Sequence, residues 1–96
     1  MEIYQAGETV TVYSRVKDTM TGDWVAPSTI KITIYNAAGE VVINDDDMLE
    51  VPDTVGSYFY YFDTTDRAGV FKYKITAVRA GRKTINKDDY NTFKVV

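Results

Sequence analysis

The sequence predicts an all-β fold, an antiparallel sandwich of two sheets built from about seven to nine short strands. Apolar and polar residues alternate with a period of two in four segments or more, which is the pattern of strands with one buried and one solvated face. Turn-forming residues separate these segments, and no window of helical length is amphipathic. We therefore expect one domain over residues 1–96, without a helix longer than about one turn.

The stretch from Thr54 to Ala80 holds most of the aromatic residues. Its two runs, Tyr58–Phe62 and Val70–Val78, contain seven of the twelve Tyr and Phe residues. Short aromatic and β-branched runs bounded by Gly, Asp and Thr are typical of paired strands. We interpret these two runs as paired strands that supply much of the core.

Before the aromatic stretch, the alternation is clearest in Thr9–Lys17 and Thr29–Tyr35. Residues 1–7 are interpreted as a short lead-in without a strand. Trp24–Ala26 is interpreted as a short strand that ends at Pro27, because proline cannot continue a central strand. The inward positions of the two long segments are Val10, Val12, Ser14, Val16, Ile30, Ile32 and Ile34.

The second long segment leads into a hairpin. Asn36–Gly39 predicts a tight turn, and Glu40–Asn44 predicts the strand that returns from it. The consecutive acids Asp45–Asp47 are interpreted as a solvated loop. Met48–Val51 is then a short apolar strand, which Pro52 closes.

Alternation in the second half of the chain predicts the rest of the core. Lys83–Ile85 is expected to form a brief strand, Asn86–Asp89 a loop, and Asn91–Val96 the last strand. Phe62, Ile75, Ala77 and Val95 also carry the inward parity. The residues expected to be mostly buried are Val12, Ile32, Ile34, Tyr58, Tyr60, Phe71, Tyr73 and Phe93.

Composition limits the chemistry that this chain can perform. There is no cysteine and no histidine, which excludes disulfides, thiolate metal sites and a Ser–His–Asp triad. A pair of carboxylates could in principle hydrolyse a glycoside, but a chain of 96 residues leaves little room for a walled cleft. We expect that the protein is not an enzyme.

Charge is distributed unevenly along the chain. The net charge is −3. The acids predominate in residues 1–50, and the bases in residues 51–96. One interpretation is that complementary strands pair across a sheet; the other is a basic face that binds an acidic partner. A sequence pI near 4.8 argues against nucleic acid as that partner.

Turn glycines followed by alternating strands recur along nearly the whole chain. The segments are Gly7–Val10, Ile32–Tyr35, Gly39–Val42, Gly56–Tyr58, Gly69–Tyr73 and Phe93–Val95. In this pattern the sequence resembles the immunoglobulin-like modules, including the macroglobulin type, of bacterial, archaeal and phage surface and virion proteins. The resemblance implies an immunoglobulin-like β-sandwich that serves as a spacer, adhesive or assembly module.

Acidic residues in the predicted loops raise the question of calcium. Calcium needs about six to eight converging oxygen ligands, and no loop has the spaced acids of a calcium-binding helix–loop–helix. We expect no cofactor, and a calcium site at the loop ends is the alternative. The acids concerned are Asp45, Asp46, Asp47, Asp63, Asp66, Asp88 and Asp89.

Aromatic residues are the candidate binding residues. Four of them have outward positions on strands, Tyr13, Tyr35, Phe59 and Tyr61, and the fifth is Trp24, which lies near a turn and is alternatively interpreted as closing one end of the core. We expect the four on strands to be distributed between two sheets. Phe59 and Tyr61 lie two apart on one strand, so their rings point to the same side. The interpretations are cross-strand packing on a face that a loop partly covers, or a patch that binds protein or stacks on sugar.

These observations lead to a non-catalytic structural or adhesive module that acts through protein–protein contacts, with a carbohydrate-binding module as the alternative. A calcium-stabilised spacer from a repeat array is a third hypothesis. No apolar run is long enough to cross a membrane, so membrane insertion is not expected. The first residues lack the features of a signal peptide, and the expected location is a virion, especially of a phage, or a cell surface.

Overall fold

A computed structural model describes residues 2–18, 20–79, 81–86 and 91–96. These residues form no helix, which confirms the all-β prediction. The strands are β1 (Glu2–Tyr4), β2 (Thr9–Arg15), β3 (Thr29–Tyr35), β4 (Val41–Asp47), β5 (Leu49–Glu50), β6 (Ser57–Asp63), β7 (Gly69–Arg79), β8 (Arg82–Asn86) and β9 (Thr92–Val95). The predicted loop Asn86–Asp89 falls mostly outside the described residues, although Asn86 belongs to β8.

The strands form two sheets. The larger has six strands in the order β1-β9-β7-β3-β4, with β8 also paired to β7, and the smaller has three in the order β2-β6-β5. Along β7, β9 pairs with Gly69–Lys72 and β8 with Ile75–Arg79. Strands β1 and β9 run parallel. The larger sheet is therefore mixed, and the prediction of a purely antiparallel fold is wrong at this pair.

The lead-in predicted for residues 1–7 contains strand β1. Its ladder continues beyond the strand, because the amide of Val96 donates to the carbonyl of Tyr4 at 2.8 Å and that of Ala6 to the carbonyl of Val96 at 2.9 Å. A strand of three residues is too short to show a period, so the sequence carries no signal for it.

The two aromatic runs lie in different sheets, so the interpretation as a strand pair is wrong. Strand β6 belongs to the smaller sheet and β7 to the larger one. The connection between them is fixed to the start of β2, since the Thr64 hydroxyl accepts the amide of Gly7 and donates to the carbonyl of Glu8. The runs meet through side chains instead, with Phe62 and Phe71 ring centroids 5.5 Å apart.

The core lies between the two sheets. Phe71 stacks on Phe93 at 5.5 Å, and Phe62 meets Phe93 edge-on at 5.8 Å. Tyr60 and Tyr73 are only partly buried, so these two residues are less buried than predicted. The other expected core residues are buried: Val12, Ile32, Ile34, Tyr58, Phe71 and Phe93.

The acids Asp45–Asp47 are part of β4 rather than a loop. A register shift between β3 and β4 includes Asp45, because it falls between the pairs Ile34–Ile43 and Ile32–Asp46, and Asp45 adopts a φ of 45° there. Thr33 holds this bulge, because its hydroxyl donates to the Asp45 carboxylate and accepts the Asp45 amide, both at 3.2 Å. An irregular strand with acids on an exposed edge has no simple period, which explains why the sequence predicted a loop at these residues.

The segment predicted as a strand at Trp24–Ala26 forms only an isolated bridge between Lys17 and Trp24. It is held through backbone bonds at one end of the sandwich. The amide of Val25 donates to the carbonyl of Val16 at 3.0 Å, and the amide of Val16 donates to the carbonyl of Gly56 at 2.8 Å.

Tyr60 links the two sheets by a hydrogen bond. Its hydroxyl donates to the Asp46 carboxylate of β4 at 2.6 Å, and burial together with this bond raises the pKa of Tyr60 to about 12. The pKa of Tyr60 is thus higher in the folded state than in the unfolded state, where it is near 10. The contribution of Tyr60 to stability is therefore fully present below pH 10 and is lost as the pH rises toward 12.

Replacing Tyr60 by Phe is expected to lower the free energy of unfolding by about 1 kcal/mol at neutral pH, because the bond to Asp46 is lost. It should also reduce the steepness with which stability falls between about pH 10 and 12. Urea unfolding at several pH values checks both effects. Identical alkaline profiles for the wild type and Tyr60→Phe would show that this hydroxyl does not link the sheets.

Candidate functional site

The outer side of the smaller sheet carries an aromatic row. Alternation in β2 buries Val10 and Val12 and leaves Tyr13 on the opposite side. The register places Tyr13 beside Phe59 of β6, and Phe59 beside Leu49 of β5. Directly opposite residues in a sheet share a face, so one side chain from each of the three strands lies in this row.

Tyr61 widens the row along β6. Its ring centroid lies 5.0 Å from that of Phe59, with the planes inclined by 57°, and its cross-strand neighbour is Thr11. Tyr13 and Tyr61 are each 58% exposed. We name Tyr13, Leu49, Phe59 and Tyr61 the outer aromatic face.

A buried hydroxyl fixes the position of Tyr13. Its phenol donates a hydrogen bond of 3.1 Å to Ser57 Oγ, and Ser57 is completely buried. Ser57 is the diagonal neighbour of Tyr13 across the β2–β6 pair, a separation that a tyrosine can span. The ring is therefore held in one orientation before any partner arrives.

Trp24 lies at one end of this face. The guanidinium carbon of Arg15 is 4.1 Å from the Trp24 ring centroid, and Lys17 Nζ is 5.6 Å from it. Arg15 Nε also donates to the carbonyl of Val55 at 3.4 Å. These cation–π contacts hold the indole beside the end of β2, while 45% of Trp24 stays exposed.

Tyr35 lies apart from the other predicted residues. It is on β3 of the larger sheet, opposite Lys72 of β7 and Val41 of β4. The expectation that the outward aromatics are shared between two sheets is confirmed, with Tyr13, Phe59 and Tyr61 in one and Tyr35 in the other. Parity indicates which side chains point outward, but it does not indicate the sheet.

Leu49 is the member of the outer aromatic face that sequence reasoning missed. It is exposed and lies in a strand of two residues, so no period marks it. Only its pairing with Phe59 brings it into the row. Strand β5 flanks Phe59, which is half-buried, whereas Tyr61 stays exposed. Cover of the outer aromatic face by a loop therefore stays a prediction.

The acids considered for calcium are largely engaged in turn and bulge contacts. Asp63 accepts hydrogen bonds from the amide and hydroxyl of Thr65, at 2.9 and 2.7 Å, and they lower the pKa of Asp63. In the described part of the chain, no group of three or more acidic side chains is placed to hold a metal ion. Asp88 and Asp89 lie outside the described residues.

Comparison with known proteins gives no relative. No protein-family model, curated protein or solved structure matches this chain. Within residues 2–18, 20–79, 81–86 and 91–96, no helix has the length and apolar character needed to span a membrane.

Proposed function

We propose that this protein is a non-catalytic interaction module that binds another protein through the outer aromatic face. The observation that carries the proposal is the row in which exposed Tyr13 and Leu49 flank half-buried Phe59, with exposed Tyr61 beside it. Tyrosine rings bring large contact area with only two side-chain torsions, and aromatic residues and arginine are enriched at the centres of interfaces. A sheet of three strands presents them on a rigid surface.

The end of the face near Trp24 supports the same proposal. The Arg15–Trp24 contact joins two residue types that dominate binding energies at protein interfaces. Tyr13 is already held by Ser57, so binding would order few additional side chains. Low ordering cost favours affinity for a given contact area.

We also propose that the sandwich is immunoglobulin-like. The orders β2-β6-β5 and β9-β7-β3-β4 correspond to the B-E-D and G-F-C-C′ orders of immunoglobulin sheets, with β8 in the F–G connection. The parallel pairing of the first and last strands is compatible with this assignment. Together with the sequence resemblance, this supports a place in a phage virion or a cell-surface assembly, where such modules are spacers or adhesive elements.

Photo-crosslinking tests the proposed contact. Benzoylphenylalanine at position 61, in the full chain expressed in its own host, should give covalent adducts with a protein. The matched control is the same probe at Glu40, an exposed position in the β3–β4 turn. Adducts from position 61 alone support the proposal. Absence of protein adducts from position 61 contradicts it.

Carbohydrate binding is the second candidate, because the exposed rings of Tyr61 and Trp24 could stack on the apolar side of a sugar. A glycan array separates the two functions. Binding that depends on a particular sugar and is abolished in Tyr61→Ala would favour a carbohydrate-binding module. An array without sugar-dependent binding favours protein contacts.

A further inference from the structure

The outer side of the larger sheet is lined by lysines. Alternation in β7 buries Phe71 and Ile75 and directs Lys72 and Lys74 to the other side. The register with β3, β8 and β9 adds one lysine from each of these strands to that side. We name this set the lysine face: Lys31, Lys72, Lys74, Lys83 and Lys94.

A shallow concavity of about 320 Å³ lies within the lysine face. It is lined by Lys31 of β3, Lys74 of β7 and Lys83 of β8, together with the hydroxyl-bearing Thr29 and Thr76. Lys31 and Lys74 are half-buried, as expected when lysine stems lie along a sheet and keep their ammonium groups in water. The concavity thus offers ammonium and hydroxyl donors to carboxylates.

The lysine face is poorly neutralised by its own chain. Lys31 and Asp47 form an ion pair at 3.9 Å, in which the Lys31 side chain is half-buried and the Asp47 side chain is exposed, and pairs in contact with solvent contribute little. Asp45 also borders the concavity, but it is bonded to Thr33. Among the described residues, no other lysine of this face has a carboxylate within 4.0 Å. A positive surface therefore persists on a chain of net charge −3.

A complementary surface lies where β4 is followed by β5, at neighbouring edges of the two sheets. It carries four exposed acids, Asp46, Asp47, Glu50 and Asp53, which we name the acidic rim. Charges on an edge strand prevent unwanted strand pairing. That role would be served by lysine as well as by acids. Asp46 accepts the Tyr60 hydroxyl and Asp47 pairs with Lys31, so the negative sign is left unexplained at Glu50 and Asp53.

We propose that the lysine face binds the acidic rim of a second copy of this chain. Both charged surfaces belong to the same molecule, and they are opposite in sign. Because the two surfaces differ, the contact is head-to-tail and extends into a row or ring of copies. The overall negative charge disfavours nucleic acid as the occupant. The outer aromatic face lies on the opposite sheet and stays free for the partner discussed above.

Sedimentation equilibrium of the full chain is the first test. At low ionic strength the average mass should rise above the 10.9 kDa of one chain as concentration increases. At about 0.5 M salt, screening should restore the monomer, because the Debye length falls to a few ångströms. A mass of one chain at all concentrations in low salt would overturn the proposal, even if the protein bound a poly-glutamate peptide.

Charge reversal provides the sharper test. A face variant (Lys74→Glu and Lys83→Glu) and a rim variant (Asp47→Lys and Glu50→Lys) should each be monomeric, since the substitutions leave the lysine face with little net charge and the acidic rim with none, and each variant then keeps only one strongly charged surface. Mixed in equal amounts, they retain one complementary pair of surfaces and should form a dimer with one copy of each. Circular dichroism confirms that both variants are folded.

The outcome of the mixture is decisive. A dimer with one copy of each variant supports the head-to-tail contact. Association of either variant alone, or a mixture that stays monomeric, overturns it. Neither result changes the crosslinking expected from position 61, because that position lies on the other sheet.

Discussion

Replacing Phe71 by Ala is expected to lower the free energy of unfolding by about 3–5 kcal/mol. Phe71 is buried and has aromatic neighbours from both sheets, Phe62 of β6 and Phe93 of β9, each with its ring centroid 5.5 Å away. Removing the ring leaves a cavity between the sheets that rigid strands cannot close. Part of the cost is also the loss of contact between the rings.

Urea unfolding of the isolated chain measures this effect. The matched control is Lys72→Ala, the next residue on β7, whose side chain points to solvent on the other side. That variant should stay within about 0.5 kcal/mol of the wild type. A loss below about 1 kcal/mol for Phe71→Ala would contradict the packing of the two sheets around this ring.

Replacing Gly56 by Ala is expected to cost about 3 kcal/mol or more, through strain together with overpacking. Gly56 has a φ of +76°, and an added Cβ would lie 2.6 Å from the carbonyl oxygen of Val25 and 3.0 Å from that of Val16. Both neighbours are backbone atoms, which cannot turn aside as the end of a side chain can. In the variant, the backbone at Val16 and Val25 must therefore move away from residue 56.

Gly39→Ala is the control for this prediction. Gly39 has a φ of +83°, but an added Cβ would meet nothing within 4 Å. It should therefore cost only the left-handed backbone penalty, about 1–2 kcal/mol. Thermal or urea unfolding compares the two variants. Equal losses at both positions would show that the close approach at Gly56 contributes nothing.

Much of the fold could be predicted because alternation is a local property. Thr29–Tyr35 has the predicted bounds of β3, and Tyr58–Phe62 lies within β6. Pairing could not be predicted in the same way. The period of a strand predicts which side chains face inward, but it does not predict whether β6 pairs with β7 or with β2. That choice depends on contacts between residues far apart in the chain.

The candidate site could likewise be predicted only in part. The outward parity of Tyr13, Phe59 and Tyr61 follows from the sequence, and these residues are on the outer side of the smaller sheet. Their common row with Leu49 depends on the register of three strands. The position of Trp24 depends on its contact with Arg15, two side chains that no period relates.

The uneven charge left two interpretations open, which are complementary strands paired across a sheet and a basic face that binds an acidic partner. The described ion pairs do not favour the first. Only Lys31–Asp47 and Arg79–Asp18 form ion pairs in the described part of the chain. Five lysines, Lys31, Lys72, Lys74, Lys83 and Lys94, instead share one side of the larger sheet. The acids Asp45–Asp47 lie on its edge strand β4, which departs from regular alternation.

We propose that the outer aromatic face serves a contact rather than the fold. The most direct measurement is the free energy of unfolding of Tyr61→Ser in the isolated chain. Because the Tyr61 side chain is 58% exposed, we expect a loss of less than about 1 kcal/mol, the usual range for an exposed position. A loss of about 3 kcal/mol or more, as for a buried aromatic residue, would show that these rings are internal packing and would contradict the claim.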